Sequence, residues 1–143
     1  MKIALALLAL ASFAPGAQAG QPLPTKLKLL CIVNTYDFNG DDFKSLTAAY
    51  HEIEANKVTE FFRSESTIYS AYFTKDELAP GKPQSTLSVE MKKKRNGRQV
   101  SAAAAQWPTG ASGTHQVTAY STEAEKGLKT MAGCLLEPEK NAK

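Results

Sequence analysis

Cysteine is scarce in this chain: 143 residues carry only Cys31 and Cys134. They lie far apart and no C-x-x-C spacing occurs, which argues against a thiol redox motif or a cysteine-rich zinc module. Histidine is as rare, with only His51 and His115. His51-Glu52 opens like H-E-x-x-H, but Ala55 stands where the second histidine is required. Beyond Ala11 no run is long and apolar enough to cross a bilayer as a helix. Neither sign of charge dominates: 17 basic and 14 acidic residues leave a formal net charge of +3. So small a surplus argues against a dedicated nucleic-acid binder. The calcium-loop pattern begins at Asp37, Asn39 and Asp41. It then fails, because Asp42 and Ala48 occupy the positions that need glycine and glutamate.

The N-terminus is the first stretch with a clear pattern. Met1-Lys2 leads into the apolar run Ile3 to Ala11, and Ala17-Gln18-Ala19 supplies small residues at the A-x-A spacing of a cleavage site. Residues 1–19 therefore read as a secretory signal peptide and 20–143 as a single globular domain. The chain is expected to be exported, periplasmic or secreted, with no transmembrane segment in its mature part. Loss of Lys2 with the leader leaves 16 basic against 14 acidic residues. In an exported protein two cysteines read as one disulfide, Cys31–Cys134. On the chain-entropy model so long a loop is worth roughly 4–5 kcal/mol as an upper figure.

The strongest local signal runs from Ser85 to Trp107, where two extended segments flank Asn96-Gly97. A two-residue type I′ turn at that dipeptide predicts a hairpin pairing Lys93 with Val100, Met91 with Ala102 and Val89 with Ala104. Leu87, Val89 and Met91 would then share a face with Val100, Ala102 and Ala104, leaving room for a bulky element above the alanines. Residues 57–62 and 67–73, rich in β-branched and aromatic side chains around Arg63-Ser64-Glu65-Ser66, predict a second hairpin. Lys26 to Val33 and Gln116 to Tyr120 read as strands, and 75–83 as a loop.

Phe43, Leu46, Ala49, Tyr50 and Ile53 recur at helical spacing behind Asp41-Asp42, which predicts a helix over 43–55. Thr122 to Glu125 has capping-box spacing and predicts a short helix reaching Met131. The fold class that follows is α+β: a small antiparallel sheet of two hairpins plus terminal strands, with one packed helix. An all-β sandwich or barrel is the alternative, because Leu46, Ala48 and Tyr50 also fit a strand.

Catalytic patterns each miss a required residue. Gly110-Ala111-Ser112-Gly113 lacks one position of the G-x-S-x-G elbow, although His115 follows closely. Glu52 and Glu54, two apart, do not face together on a helix. The remaining signal is Lys92, Lys93, Lys94, Arg95 and Arg98, five positive charges around one hairpin tip. They form the candidate binding surface for a protein or anionic envelope component. The expectation is a non-enzymatic exported binding or inhibitor domain without a cofactor or metal. The alternatives are a small hydrolase using Ser112 and His115, and a ligand carrier with Tyr36, Tyr50, Tyr69, Tyr72, Tyr120 and Trp107 around a cavity.

Overall fold

The structure, a computed structural model, describes residues 26–40, 42–109, 113–123 and 126–137. The signal-peptide reading over 1–19 and the candidate Ser112 lie outside the described residues. Among these residues eight strands follow one another: β1 Lys26–Asp37, β2 Phe43–Glu54, β3 Thr59–Arg63, β4 Thr67–Ala79, β5 Lys82–Lys93, β6 Gln99–Pro108, β7 His115–Glu123 and β8 Leu128–Leu136. They form two antiparallel sheets, ordered β2-β1-β8-β7 and β3-β4-β5-β6. Every ladder but one joins consecutive strands; the exception, β1 with β8, closes the first strand onto the last. The chain is an up-and-down meander wrapped into two facing layers, open at the β2/β3 and β6/β7 seams.

No helix is present over 43–55, which corrects the α+β expectation to all-β. The physical reason lies in the outer face of the first sheet. β1 pairs with β2 from Lys26↔Glu54 to Tyr36↔Phe43, so the β2 backbone groups that face β1 are satisfied by a ladder and not by helical turns. Ile53 turns into the core, whereas Phe43 and Tyr50 stand 59% and 52% exposed on the outside. With apolar residues on both faces, β2 lacks the inside-outside contrast that identifies a strand, and its side chains imitate a helical stripe. The second expected helix is also absent among the described residues. Gly127, at φ 62, turns the chain, and β8 begins at Leu128.

The expected 75–83 loop is likewise strand. β4 runs to Ala79 and β5 starts at Lys82, with Pro80-Gly81 between them. Proline's fixed φ followed by Gly81 at φ 75 suits a tight type II turn.

The β5–β6 hairpin forms, with a register one residue away from the expected one. Met91 pairs with Ser101, Val89 with Ala103, Leu87 with Ala105 and Ser85 with Trp107. The loop holds four residues, 94–97: Gly97 N–H donates to the Lys93 carbonyl at 2.9 Å, and Lys93 N–H to the Arg98 carbonyl at 2.9 Å. Gly97 has φ 65, while Asn96 is not among the residues with positive φ. A bulge between Met91 and Lys92 completes the shift. Ala103 and Ala105 therefore pack on the core, and Ala102 and Ala104 are exposed.

Between the layers sits one apolar core. Leu29, Val33, Ile53, Phe73, Leu87, Val89 and Met91 are fully enclosed there. Burial of such a side chain is worth about 1.5–3 kcal/mol. Trp107 crosses from β6 to meet Phe73, ring centroids 6.2 Å apart. The Cys31–Cys134 disulfide lies in this core and ties β1 to β8.

Candidate functional site at the hairpin end

The meander places the β1–β2, β3–β4, β5–β6 and β7–β8 turns at one end of the molecule. Two backbone hydrogen bonds link these tips in pairs. Lys94 N–H donates to the Ser66 carbonyl at 3.0 Å, and Phe38 N–H to the Gly127 carbonyl at 3.1 Å. Each pair stays within one sheet, so the tips form two lips.

Strand alternation decides what lies between the lips. Side chains at every second residue face the core, and most inward columns turn polar toward this end. On β5 the buried Leu87, Val89 and Met91 are continued by Lys93. On β7 the buried Val117 and Ala119 are continued by Ser121 and Glu123. Phe73 and Ala71 of β4 lead to Tyr69 and Thr67, Val33 of β1 to Thr35, and Ala132 of β8 to Thr130. The result is a cleft of about 860 Å³ with a hydroxyl-rich floor, lined also by Leu46 and Leu128. Its size falls within the range of small-ligand sites, and barrel mouths are common places for them.

Charge at the cleft is uneven. Lys93, Lys94, Arg95 and Lys126 line it on the positive side, against Glu65 and Glu123. Lys93 reaches from one sheet to Glu123 on the other, Nζ to Oε1 at 3.1 Å, and so crosses the mouth. Glu123 Oε2 lies 3.4 Å from Lys126 Nζ. The Lys93 hydrogen bond holds the Glu123 carboxyl below its ordinary value of 4.5, partly opposed by burial and aided by Lys126. Burial raises the phenol of Tyr69 above its ordinary value, with the Ser64 and Thr67 hydroxyls acting in the other direction.

The five basic residues singled out from sequence separate here. Lys93, Lys94 and Arg95 line the cleft. Lys92 points to the outer face of its sheet and pairs with Glu90 at 3.0 Å. Arg98 is exposed and does not line the cleft, its backbone N–H donating to Asn96 Oδ1 at 3.0 Å. Glu123, Lys126 and Thr130 were not singled out as site residues, because only the return of β7 and β8 brings them to the tip, whereas Tyr69 on β4 was named only among the carrier aromatics. The parity of Lys93 with Leu87, Val89 and Met91 was the available signal that its side chain faces inward.

Of the hydrolase pair only His115 is among the described residues, and of the carrier aromatics only Tyr69 lines the cleft. His115 lies at the opposite end of the molecule, stacked on Trp107 with ring centroids 4.2 Å apart and planes 4° from parallel. Its Nε2 is buried without a hydrogen-bond partner among the described residues, as is that of His51. The aromatic set is dispersed: Tyr69 lines the cleft, Trp107 is in the core, and Tyr50 and Tyr120 are exposed on the outer face of the first sheet. Lys28 lies over the Tyr50 ring and Lys129 over the Tyr120 ring, each 4.8 Å from the centroid. Among the described residues no group of three or more His, Cys, Asp or Glu is placed to hold a metal ion.

No protein-family model, curated protein or solved structure matches this chain. Its class is set by the architecture alone: a disulfide-tied, eight-stranded antiparallel meander with a charged cleft at the hairpin end.

Proposed function

We propose that this chain is an exported, non-enzymatic domain that binds or inhibits a protein presenting negative charge, and that the partner docks at the hairpin-end cleft. The observation that carries the reading is the convergence of four hairpin tips around about 860 Å³ lined by four cations and two carboxylates. Lys94 and Arg95 make no ion pair among the described residues, Lys94 acting only at longer range on Glu60, so both present charge to an approaching surface. Turns held by a sheet scaffold favour this use, since the recognition groups are already in place before the partner arrives. Export is in keeping with the buried disulfide, which persists in oxidising compartments.

The test is capture by the oxidised domain from envelope and secreted fractions, read by mass spectrometry. The double variant Lys94→Ser/Arg95→Ser serves as the comparison. One saturable partner, released by moderate salt and lost with the double variant, is the expected result. A partner retained equally by the variant would move the binding surface away from the cleft.

A further inference from the structure

We infer that Glu123 is a built-in stand-in for a ligand carboxylate, and that the group recognised between Lys93 and Lys126 is a carboxylate on an acidic polypeptide segment. The inference rests on the docking reading above and specifies its chemistry. Glu123 spreads its two oxygens over two ammonium groups, Oε1 at 3.1 Å from Lys93 and Oε2 at 3.4 Å from Lys126. A carboxylate at this point subtracts from the attraction the cleft exerts on any anion, yet the strand alternation of β7 aims it inward. It also clasps the lips, because Lys93 and Glu123 belong to opposite sheets.

Exchange of one carboxylate for another conserves charge and hydrogen-bond geometry, so the ammonium groups need not be left unpaired in either state. Lys126, with 63% of its side chain exposed, can be reached from solvent while Glu123 still holds Lys93. An acidic segment meets Lys94 and Arg95 first and then competes with Glu123 for the inner pair. The floor hydroxyls of Thr35, Thr67 and Thr130 offer both donors and acceptors to the backbone of such a segment. A ligand with carboxylates spaced along a chain satisfies both basic sites, which a single compact anion does not.

Calorimetric titration of the oxidised chain with hexaglutamate, and separately with tripolyphosphate, tests this at low salt. Glu123→Gln should bind hexaglutamate about tenfold more tightly than the unchanged chain. The gain should vanish when Lys126→Ser is added. Glu65→Gln, which removes a cleft carboxylate that makes no ion pair among the described residues, should give a gain of only about two- to threefold. Glu123→Asp keeps the charge but withdraws it from Lys126, and an intermediate gain is expected if Glu123→Gln fails to fold. Equal gains for Glu65→Gln and Glu123→Gln would overturn the stand-in role and leave a general field effect. Tighter binding of tripolyphosphate than of hexaglutamate would overturn the carboxylate assignment while leaving the docking reading intact. If neither probe binds and partner capture ignores Lys94→Ser/Arg95→Ser, the docking reading itself fails.

Discussion

Cys31 on β1 and Cys134 on β8 stand directly opposite each other, Cα atoms 4.1 Å apart, and their bridge fastens the first strand to the last across a separation of 103 residues. The spacing is that of a close, non-hydrogen-bonded antiparallel pair. The bridge therefore reinforces the ladder that joins the first strand to the last and sets the order of the first sheet. Replacing both cysteines by alanine should lower the unfolding free energy by roughly 2–5 kcal/mol. Urea unfolding with and without reductant checks this. The unchanged chain under reductant should match the double variant, and coincidence of oxidised and reduced midpoints would remove the stabilising role.

Gly133 is fixed by space, not by a special backbone angle. A Cβ there would come within 2.9 Å of the Val117 carbonyl oxygen and 3.0 Å of Thr118 Oγ1. The carbonyl belongs to the neighbouring strand β7 and cannot swing away without disturbing the ladder. Gly133→Ala should cost about 1–3 kcal/mol. Adding Thr118→Ala relieves only the side-chain part, so the double variant should recover a fraction of that loss. Full recovery in denaturant unfolding would show that the carbonyl contact yields freely.

The β5–β6 hairpin shows how far a local signal reaches. Asn96-Gly97 marked the turn, and both flanking strands lie where the apolar alternation placed them. Which face of β6 turns inward depended on loop length, and there the two-residue turn misled. Ala103 pairs with Val89 and Ala105 with Leu87, and both pack on the core, whereas Ala104 is exposed. Four consecutive alanines carry no contrast between faces, so the sequence alone cannot reveal a one-residue slip. Placing a charge settles it. Ala103→Asp should destabilise by about 2 kcal/mol or more, through an unpaired carboxylate on the core side. Ala104→Asp should stay within about 0.5 kcal/mol. The expected two-residue turn predicts the reverse order in thermal unfolding.

A similar loss of contrast hid β2 and most of the cleft. Phe43 and Tyr50 stand on the outer face of β2 while Ile53 stands on the inner, and a register shift opposite Val33/Asn34 skips Leu46, so the alternation of Leu46, Ala48 and Tyr50 did not outweigh the helical stripe. At the cleft, the run from Lys93 to Arg95 was legible because like charges cluster in sequence. Glu123 and Lys126 arrive from a distant hairpin, and the capping-box spacing around Glu123 pointed instead to a helix. What a short-range pattern cannot express is the closure of β8 onto β1, and that closure brings β7 and its turn to the mouth.

The ion pair across the mouth gives the molecule a defined response to acid. Lys93 holds the Glu123 carboxyl below its ordinary value of 4.5 in the folded state. A carboxyl with a lowered folded value stabilises the fold above its unfolded range, and that contribution is lost as pH falls through the folded value. Glu123→Gln should therefore melt below the unchanged chain at neutral pH, by a difference worth no more than about 1 kcal/mol for a partly exposed pair. The two melting curves should converge as pH drops below about 4.5 towards the lowered folded value. Glu60, also lowered, chiefly by its hydrogen bond to Arg63, provides the contrast, because that pair lies outside the cleft and is more exposed to water than Lys93–Glu123. Raising the salt should erase whatever Glu60→Gln costs well before it erases the cost of Glu123→Gln, since screening acts most strongly on exposed charges. A difference between Glu123→Gln and the unchanged chain that persists undiminished at low pH would mean that the carboxamide disturbs packing, and that the Lys93–Glu123 clasp contributes nothing through its charge.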